Sequence, residues 1–144
     1  MKALFNTLSM FILIFILTIF TFSSFTYSTQ PLNADDDTVF RITGKGDIYI
    51  NGSQKGEIES DGDVYIGGSK KGEIESDGDI YMGGSKVGEI ESDGDVYKGG
   101  SKIGEVESDG DIYSRGSKIG ECEGVKREWV GAVVFFFFKS ELGL

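Results

Sequence analysis

The chain has 144 residues, of which 24 are acidic and 14 basic, and its net charge at pH 7 is −10. This balance argues against nucleic acid and anionic lipid as partners, because both attract clustered Lys and Arg. Histidine is absent, which removes the commonest general base and metal ligand, and the single cysteine, Cys122, excludes an internal disulfide. The 22 glycines are numerous for this length and need a structural reason.

Residues 1–28 are predicted to be a signal peptide. An uncharged apolar run extends from Leu8 to Phe22, and the small residues Thr26 and Ser28 stand at the −3 and −1 positions of a cleavage site. The run is shorter than the roughly 20 residues of a membrane span. We therefore expect cleavage and export to the periplasm, the cell envelope or the medium, with an uncleaved anchor as the alternative.

Residues 29–40 form a polar linker, and residues 41–124 repeat with a period of sixteen, which is typical of repeat architectures. Residues 41–43 resemble an incomplete first copy. One tetrapeptide, Gly-Asp-Ile/Val-Tyr, begins at Gly46, Gly62, Gly78, Gly94 and Gly110. Its companion, Gly-Glu-Ile/Val-Glu, begins at Gly56, Gly72, Gly88 and Gly104 and is degraded at Gly120.

Each repeat contains two short runs with the period-2 alternation of half-buried strands. Because an unpaired Glu is not tolerated in a core, the Ile/Val/Gly/Ser face, represented by Val64, Ile74 and Ser76, is predicted to point inward. Cys122 falls at the Ile position of the last repeat and is expected to be a small buried residue. Asp61-Gly62 and its copies predict tight two-residue turns, and residues 67–70 and their copies predict longer turns at the other end.

A regular meander exposes two edges unless it closes. Ten strands at about 4.8 Å spacing and about 40° tilt close at a radius of roughly 10 Å, which their own small side chains do not fill. Residues 125–139 supply an apolar central segment, and as a helix the stretch from Trp129 to Phe138 would be about 15 Å long, too short to span a bilayer. A buried strand is the alternative, since Val and Phe favour strands. Gly131 and Ala132 would allow a close neighbour, and residues 140–144 form a tail.

The predicted fold is therefore all-β: a closed up-and-down meander of five β-hairpin repeats around a C-terminal apolar segment, most simply a helix. In its signal peptide, its sixteen-residue repeats and its ending from Gly124 to Trp129 followed by a phenylalanine run, the chain resembles the bacterial 5-fold β-flower proteins. The resemblance covers roughly residues 40–138. It implies hairpins arranged radially around the C-terminal segment and implies no catalytic residues. The chain departs from the family in its Tyr-rich, acidic exterior.

Two repeated acidic patterns are candidate sites. The run from Ser60 to Asp63, with its copies, offers hard oxygen ligands on a glycine loop, as Ca²⁺ requires, but it lacks the spacing and the distal bidentate Glu of an EF-hand. We interpret it as turn chemistry. Glu59 and Glu75 resemble the paired carboxylates of glycoside hydrolases, but their repetition and exposure argue against catalysis.

Three further patterns are predicted to be structural. A row of tyrosines on the outward face comprises Tyr49, Tyr65, Tyr81, Tyr97 and Tyr113. We interpret the row as cross-strand packing, with an aromatic belt for glycan or peptide as the alternative. A row of lysines on the longer turns, predicted to form a solvated positive rim, comprises Lys70, Lys86, Lys102 and Lys118. Asn51-Gly52-Ser53 matches a glycosylation sequon and is equally a turn.

These patterns predict a non-catalytic exported envelope or secreted protein with no catalytic, cofactor-binding or metal-binding residues. Its repeated surface is expected to contact a macromolecule or glycan, because repetition suits multivalent contacts. The alternative is a carrier of a small apolar ligand in the interior, with the C-terminal segment as a movable plug. We expect a monomer that binds no nucleic acid and is not an integral membrane protein once the signal peptide is removed.

Overall fold

The computed structural model describes residues 40–144, so the predicted signal peptide and nearly all of the predicted linker lie outside the described residues. Eleven antiparallel strands form one sheet in which each strand pairs with its neighbours in sequence. The strands are β1 (Phe40–Ile42), β2 (Asp47–Ile50), β3 (Ser53–Ile58), β4 (Asp63–Ile66), β5 (Ser69–Ile74), β6 (Asp79–Met82), β7 (Ser85–Ile90), β8 (Asp95–Lys98), β9 (Ser101–Val106), β10 (Asp111–Ser114) and β11 (Ser117–Glu121). A helix α1 (Arg127–Ala132) follows and continues as a π-helix (Val133–Phe137). The all-β meander is confirmed.

Ile, Val and Gly of the repeats lie on the inward face of the sheet, as predicted. Val64 and Ile80 have no exposed surface, and Ile74 is 5% exposed. The prediction was wrong for serine: Ser76 lies in an exposed turn beyond the end of its strand. The alternation that orients Ile74 inward ends there, because the backbone turns before another inward position is reached.

The two kinds of turn are the reverse of the prediction. Gly67-Gly68 is the tight two-residue turn, with φ of 59° and 75°, and Asn51-Gly52 takes the same conformation. The Asp61-Gly62 turn is the longer one: it covers residues 59–62, and only Gly62, at φ 97°, is left-handed. Its N–H donates to the Glu59 carbonyl at 3.0 Å. Asp61 serves this turn through its side chain, since Oδ1 accepts the Asp63 N–H at 3.2 Å.

The strands on either side of each two-residue turn form a hairpin that we call a petal. The five petals are β2–β3, β4–β5, β6–β7, β8–β9 and β10–β11. The second strand of each petal carries a bulge: in the second petal Val64 is opposite Gly72 and Tyr65 is opposite Lys70, so Lys71 is the extra residue. Successive petals pair more briefly. The β7–β8 register contains only Glu89↔Tyr97 and Ile90↔Val96, close to the four-residue turn.

The sheet is not closed, so the predicted closure was wrong. Within residues 40–144 no ladder joins β1 to β11. Phe40 is opposite Ile50, so β1 occupies the edge of β2 with which the last petal would have to pair. The edges are close without pairing, because a Cβ placed on Gly120 would lie 3.5 Å from the Phe40 ring. The incomplete first repeat thus takes the edge that closure requires.

The C-terminal segment is helical, and the alternative of a buried strand was wrong. Val130, Val133 and Phe138 are each at most 1% exposed, so the segment is part of the core. Gly131 allows the close approach that was predicted, since a Cβ there would lie 2.7 Å from Ile90 Cδ1. At its start, Arg127 Nη1 donates to the Asp93 carbonyl at 2.6 Å, which fixes the helix to a four-residue turn.

Each petal provides one inward glycine, and one phenylalanine ring lies against each of these glycines. The pairs are Gly56 with Phe138, Gly72 with Phe137, Gly88 with Phe136, Gly104 with Phe135 and Gly120 with Phe40. Phe40 stands sixteen residues before Gly56, so the incomplete repeat supplies a ring where the others supply a glycine. Four consecutive residues reach four consecutive petals because the helix is π-helical there, as the bond from Phe138 N–H to the Val133 carbonyl at 2.9 Å shows. A π-helix turns about 80° per residue and an α-helix about 100°, so consecutive side chains diverge less in the π-helix.

Candidate functional site

The outer face carries a repeated ion-paired cluster, which we call the triad. In the second petal, Lys70 Nζ lies 2.6 Å from Asp63 Oδ1 and 3.0 Å from Glu73 Oε2. Equivalent triads form around Lys86, Lys102 and Lys118. The hydrogen bonds that each of these lysines donates to the Asp and Glu carboxylates raise its pKa. The predicted positive rim of turn lysines was therefore wrong: they lie within strands and are paired with acids.

The first petal departs from the triad. Gln54 replaces the lysine, and its Nε2 donates to Asp47 Oδ1 at 3.2 Å. Arg41 lies over the Tyr49 ring, 4.4 Å from its centroid. The first petal therefore differs from the others in the charges of its outer face.

The tyrosine row lies between these charged groups. Tyr65 is opposite Glu57 on one neighbouring strand and opposite Lys70 on the other. The tyrosines are half-buried, and the Tyr97 hydroxyl donates to Asp95 Oδ2 at 3.4 Å. The Glu75 carboxylate raises the pKa of Tyr81, and desolvation followed by nearby carboxylates raises the pKa of Tyr97 and Tyr113. The predicted cross-strand packing of the tyrosines is confirmed, and each of these residues stays partly exposed.

Grooves lie between successive petals on this face. One groove of about 540 Å³ is lined by Lys86, Val87, Gly88, Glu89, Tyr97, Lys98, Gly99 and Gly100. Another of about 350 Å³ is lined by Lys102, Ile103, Gly104, Glu105, Glu107, Tyr113, Arg115 and Gly116. The two linings correspond almost residue for residue at an interval of sixteen. The grooves exist because neighbouring petals pair only near the four-residue turns.

The sequence analysis did not identify the bulge residues that line the grooves. Val87 and Ile103 occupy the bulge position of their petals and pack against the core. The signal for them was a change within the repeat frame, since this position is Lys55 and Lys71 in the first two petals and apolar in the last three. Period-2 alternation hides the position because a bulge interrupts it.

The acidic motif that suggested calcium is explained by its turn geometry. Two copies bring three carboxylates within 4.8 Å of one another: Glu75 with Asp77 and Asp79, and Glu107 with Asp109 and Asp111. In each copy the third carboxylate is already engaged, since Asp79 and Asp111 each lie 2.7 Å from the lysine of their triad. The two carboxylates of the glycosidase pattern are not brought together, since Glu59 and Glu75 lie exposed on separate turns.

Two other predicted features have simple outcomes. Asn51 is left-handed at φ 49° in the tight turn of the first petal, so the turn interpretation of the sequon is confirmed. Cys122 is free, partly buried and packed against the core, and burial raises the pKa of its thiol.

No protein-family model, curated protein or solved structure matches this chain. Between residues 40 and 144, no helix is long and apolar enough to cross a membrane.

Proposed function

We propose that this protein is a non-catalytic, exported envelope or secreted module, and that the grooves between its petals contact another macromolecule. The proposal rests on one observation: the groove recurs after sixteen residues, and the same types of residue line both copies. Catalysis needs one asymmetric set of reacting groups, whereas equal sites at regular spacing suit multivalent binding. The proposal includes a monomeric state, because one chain already presents two copies of the groove.

The chemistry of the groove favours a polymer of neutral, hydroxylated units, as in a glycan. Tyr97 and Tyr113 offer a ring for stacking against the apolar face of a sugar. The triads offer carboxylate acceptors and ammonium donors for hydroxyl groups. The net charge of −10 disfavours nucleic acid, whose backbone phosphates attract clustered cations.

The experiment is sedimentation of the exported protein with purified cell-wall glycan of its host. Replacing two rings in Tyr97→Ser with Tyr113→Ser should weaken binding about tenfold or more, because each of the two described grooves loses its ring. The matched control is Tyr97→Phe with Tyr113→Phe, which keeps both rings and should bind like the unmodified protein. Equal binding by the serine variant, or no binding by the unmodified protein, would contradict the proposal.

A carrier of a small apolar ligand is the weaker alternative. Phe135, Phe137 and Phe138 are at most 7% exposed and lie on the petal glycines, so a ligand would have to displace them. Exposing each ring costs about 1.5–3 kcal/mol. A lipid-like molecule that copurifies with the protein, detected by mass spectrometry, would favour the carrier instead.

Membership of the 5-fold β-flower family and export by a cleaved signal peptide are part of the same proposal. The five glycine–phenylalanine pairs, one per petal, support the family assignment. The apolar run in residues 8–22 supports export. N-terminal sequencing of the native protein should give a start near Thr29, and recovery of Met1 in a membrane pellet would indicate a retained anchor.

A further inference from the structure

The charges of the described chain are segregated by end. Every four-residue turn lies at one end of the meander and every two-residue turn at the other, because all strands run between the two kinds of turn. The first end, which we call the acidic end, carries ten carboxylates: Glu59, Asp61, Glu75, Asp77, Glu91, Asp93, Glu107, Asp109, Glu123 and Glu128. Only three cations accompany them among the described residues, namely Lys45, Lys126 and Arg127.

The opposite end, which we call the basic end, has the reverse balance. It carries Lys55, Lys71, Lys98, Arg115 and Lys139, with Glu141 as the one side-chain carboxylate there within residues 40–144. None of the five cations forms an ion pair with a described residue, since the pairs all belong to the four triads. Four of the five are exposed, and Lys139 is half-buried. Their charge is therefore available to an external partner.

The basic end also carries exposed apolar side chains. Ile119 is 36% exposed and Leu144 is 43% exposed, and they are the large apolar side chains most exposed in the described chain. Both line one cleft of about 330 Å³, together with Arg115 and Lys139. Cations beside exposed aliphatic groups are the combination that binds the boundary between lipid headgroups and acyl chains.

The N-terminal part of the chain joins the sheet at the same end. Phe40 is opposite Ile50, which directly precedes the Asn51-Gly52 turn. The residues that precede Phe40 therefore enter the sheet at the end that carries the free cations.

We propose that the basic end docks on the anionic surface of a lipid bilayer and that the acidic end faces away from it. A Lys or Arg within a Debye length of such a surface, about 8 Å, strengthens binding about fivefold. A six-residue strand is about 20 Å long, so the carboxylates of the acidic end lie beyond that range. The negative net charge of the chain argued against anionic lipid in the sequence analysis. That net charge sums both ends, whereas a membrane would contact only one of them. Lys98 and Arg115 also line the grooves, so a docked bilayer and a polymer in the grooves would meet the same end of the sheet.

The test is co-sedimentation of the protein, as its host produces it, with vesicles of phosphatidylcholine alone or with 30% phosphatidylglycerol. Any contribution of the apolar N-terminal residues is the same for all variants, so the ratio of binding to the two vesicles reports the cations. We expect a preference for the phosphatidylglycerol vesicles that decreases with salt. Lys55→Gln with Lys71→Gln should reduce binding about 30-fold, as the loss of two cations near the surface implies.

The matched control is Lys45→Gln with Lys126→Gln, which removes the same charge from the acidic end and should leave the preference unchanged. Equal binding to both vesicles, or an equal loss in the two double variants, would overturn the proposal. The basic end could instead meet the acidic end of a second copy. Light scattering that shows a rising mass at low salt, abolished by Lys55→Gln with Lys71→Gln, in a protein without lipid preference would establish that reading and reject the bilayer.

Discussion

The inner and outer faces of the same strands are organised by different physics. On the inner face each petal glycine meets one particular ring, and the residues around it are almost completely buried. On the outer face each triad lysine keeps more than 40% of its side chain exposed although it contacts two carboxylates. Close-packed contacts are costly to change, whereas exposed ion pairs contribute little. The comparison implies that stability comes from the inner face and that the outer face is available for binding.

The largest expected effect is the loss of the C-terminal segment. A chain that stops after Glu128 loses the rings that cover four petals, and the apolar burial lost exceeds the roughly 5–15 kcal/mol by which domains are stable. We expect an aggregated or molten product without a cooperative thermal transition. A chain that stops after Ser140 removes only the tail and is the control. If the shorter chain unfolds cooperatively as a monomer, the core does not depend on the segment.

The free energy of unfolding lost on removing a single phenylalanine ring should depend on how deeply that ring is buried. Phe138→Ala should cost about 3–5 kcal/mol, because that ring is 1% exposed and leaves a cavity over Gly56. Phe136→Ala should cost less, since Phe136 is only partly buried. Urea unfolding of both variants measures the difference in free energy. An equal loss in both would show that burial does not rank the rings.

Substitutions on the outer face should change the free energy of unfolding far less. Lys102→Met removes a triad cation from an exposed site, and we expect the free energy of unfolding to change by about 1 kcal/mol or less. The same substitution at Lys86, in an equivalent triad, is the internal control and should give the same value. A loss comparable with that of Phe138→Ala would contradict the division between the faces.

The pH dependence of stability should also reflect the outer face. The raised pKa values of Tyr81, Tyr97 and Tyr113 mean that the fold favours their neutral forms, and the raised pKa values of the triad lysines favour the charged amines. Both contributions are complete below the unfolded pKa values near 10 and are lost as the pH rises above them. Tyrosinate absorbance and urea midpoints between pH 7 and 12 should show late tyrosine ionisation and a decline only above about pH 10. Ionisation of these tyrosines below pH 10 would contradict this assignment.

Much of the fold could be predicted from the repeat. The positions of Val64 and Ile74 follow from alternation, and the burial of the C-terminal segment follows from its apolar sequence and short length. The turns could not be assigned correctly from Asp61-Gly62 alone, because the Asp side chain stabilises a longer turn as readily as a tight one. Asn51-Gly52, in frame with Gly67-Gly68, was the better signal for the tight turn.

The candidate surfaces were less accessible to sequence reasoning. The bulge at Lys71 shifts the register by one residue, so the walls of the grooves do not follow from a period of two. The sheet stays open because β1 pairs with the edge of β2. Only three residues at the start of the repeat form this strand, so their effect is hard to predict from the sequence. The segregation of charge becomes visible only when each turn is assigned to an end. The assignment of one phenylalanine to each glycine likewise requires the π-helical geometry.

A double-mutant cycle on one glycine–phenylalanine pair tests this one-to-one packing most directly. At Gly104 the Phe135 ring occupies the place of a Cβ, while the nearest backbone atom, the Tyr113 carbonyl oxygen, would be 2.9 Å away. Gly104→Ala should cost about 1–3 kcal/mol by overpacking, and in the presence of Phe135→Ala most of that cost should disappear, a coupling of at least about 1 kcal/mol. The mismatched pair, Gly104→Ala with Phe137→Ala, should be additive to within about 0.5 kcal/mol. Additivity in the matched pair, or equal coupling in the mismatched one, would contradict the assignment of one ring to each petal.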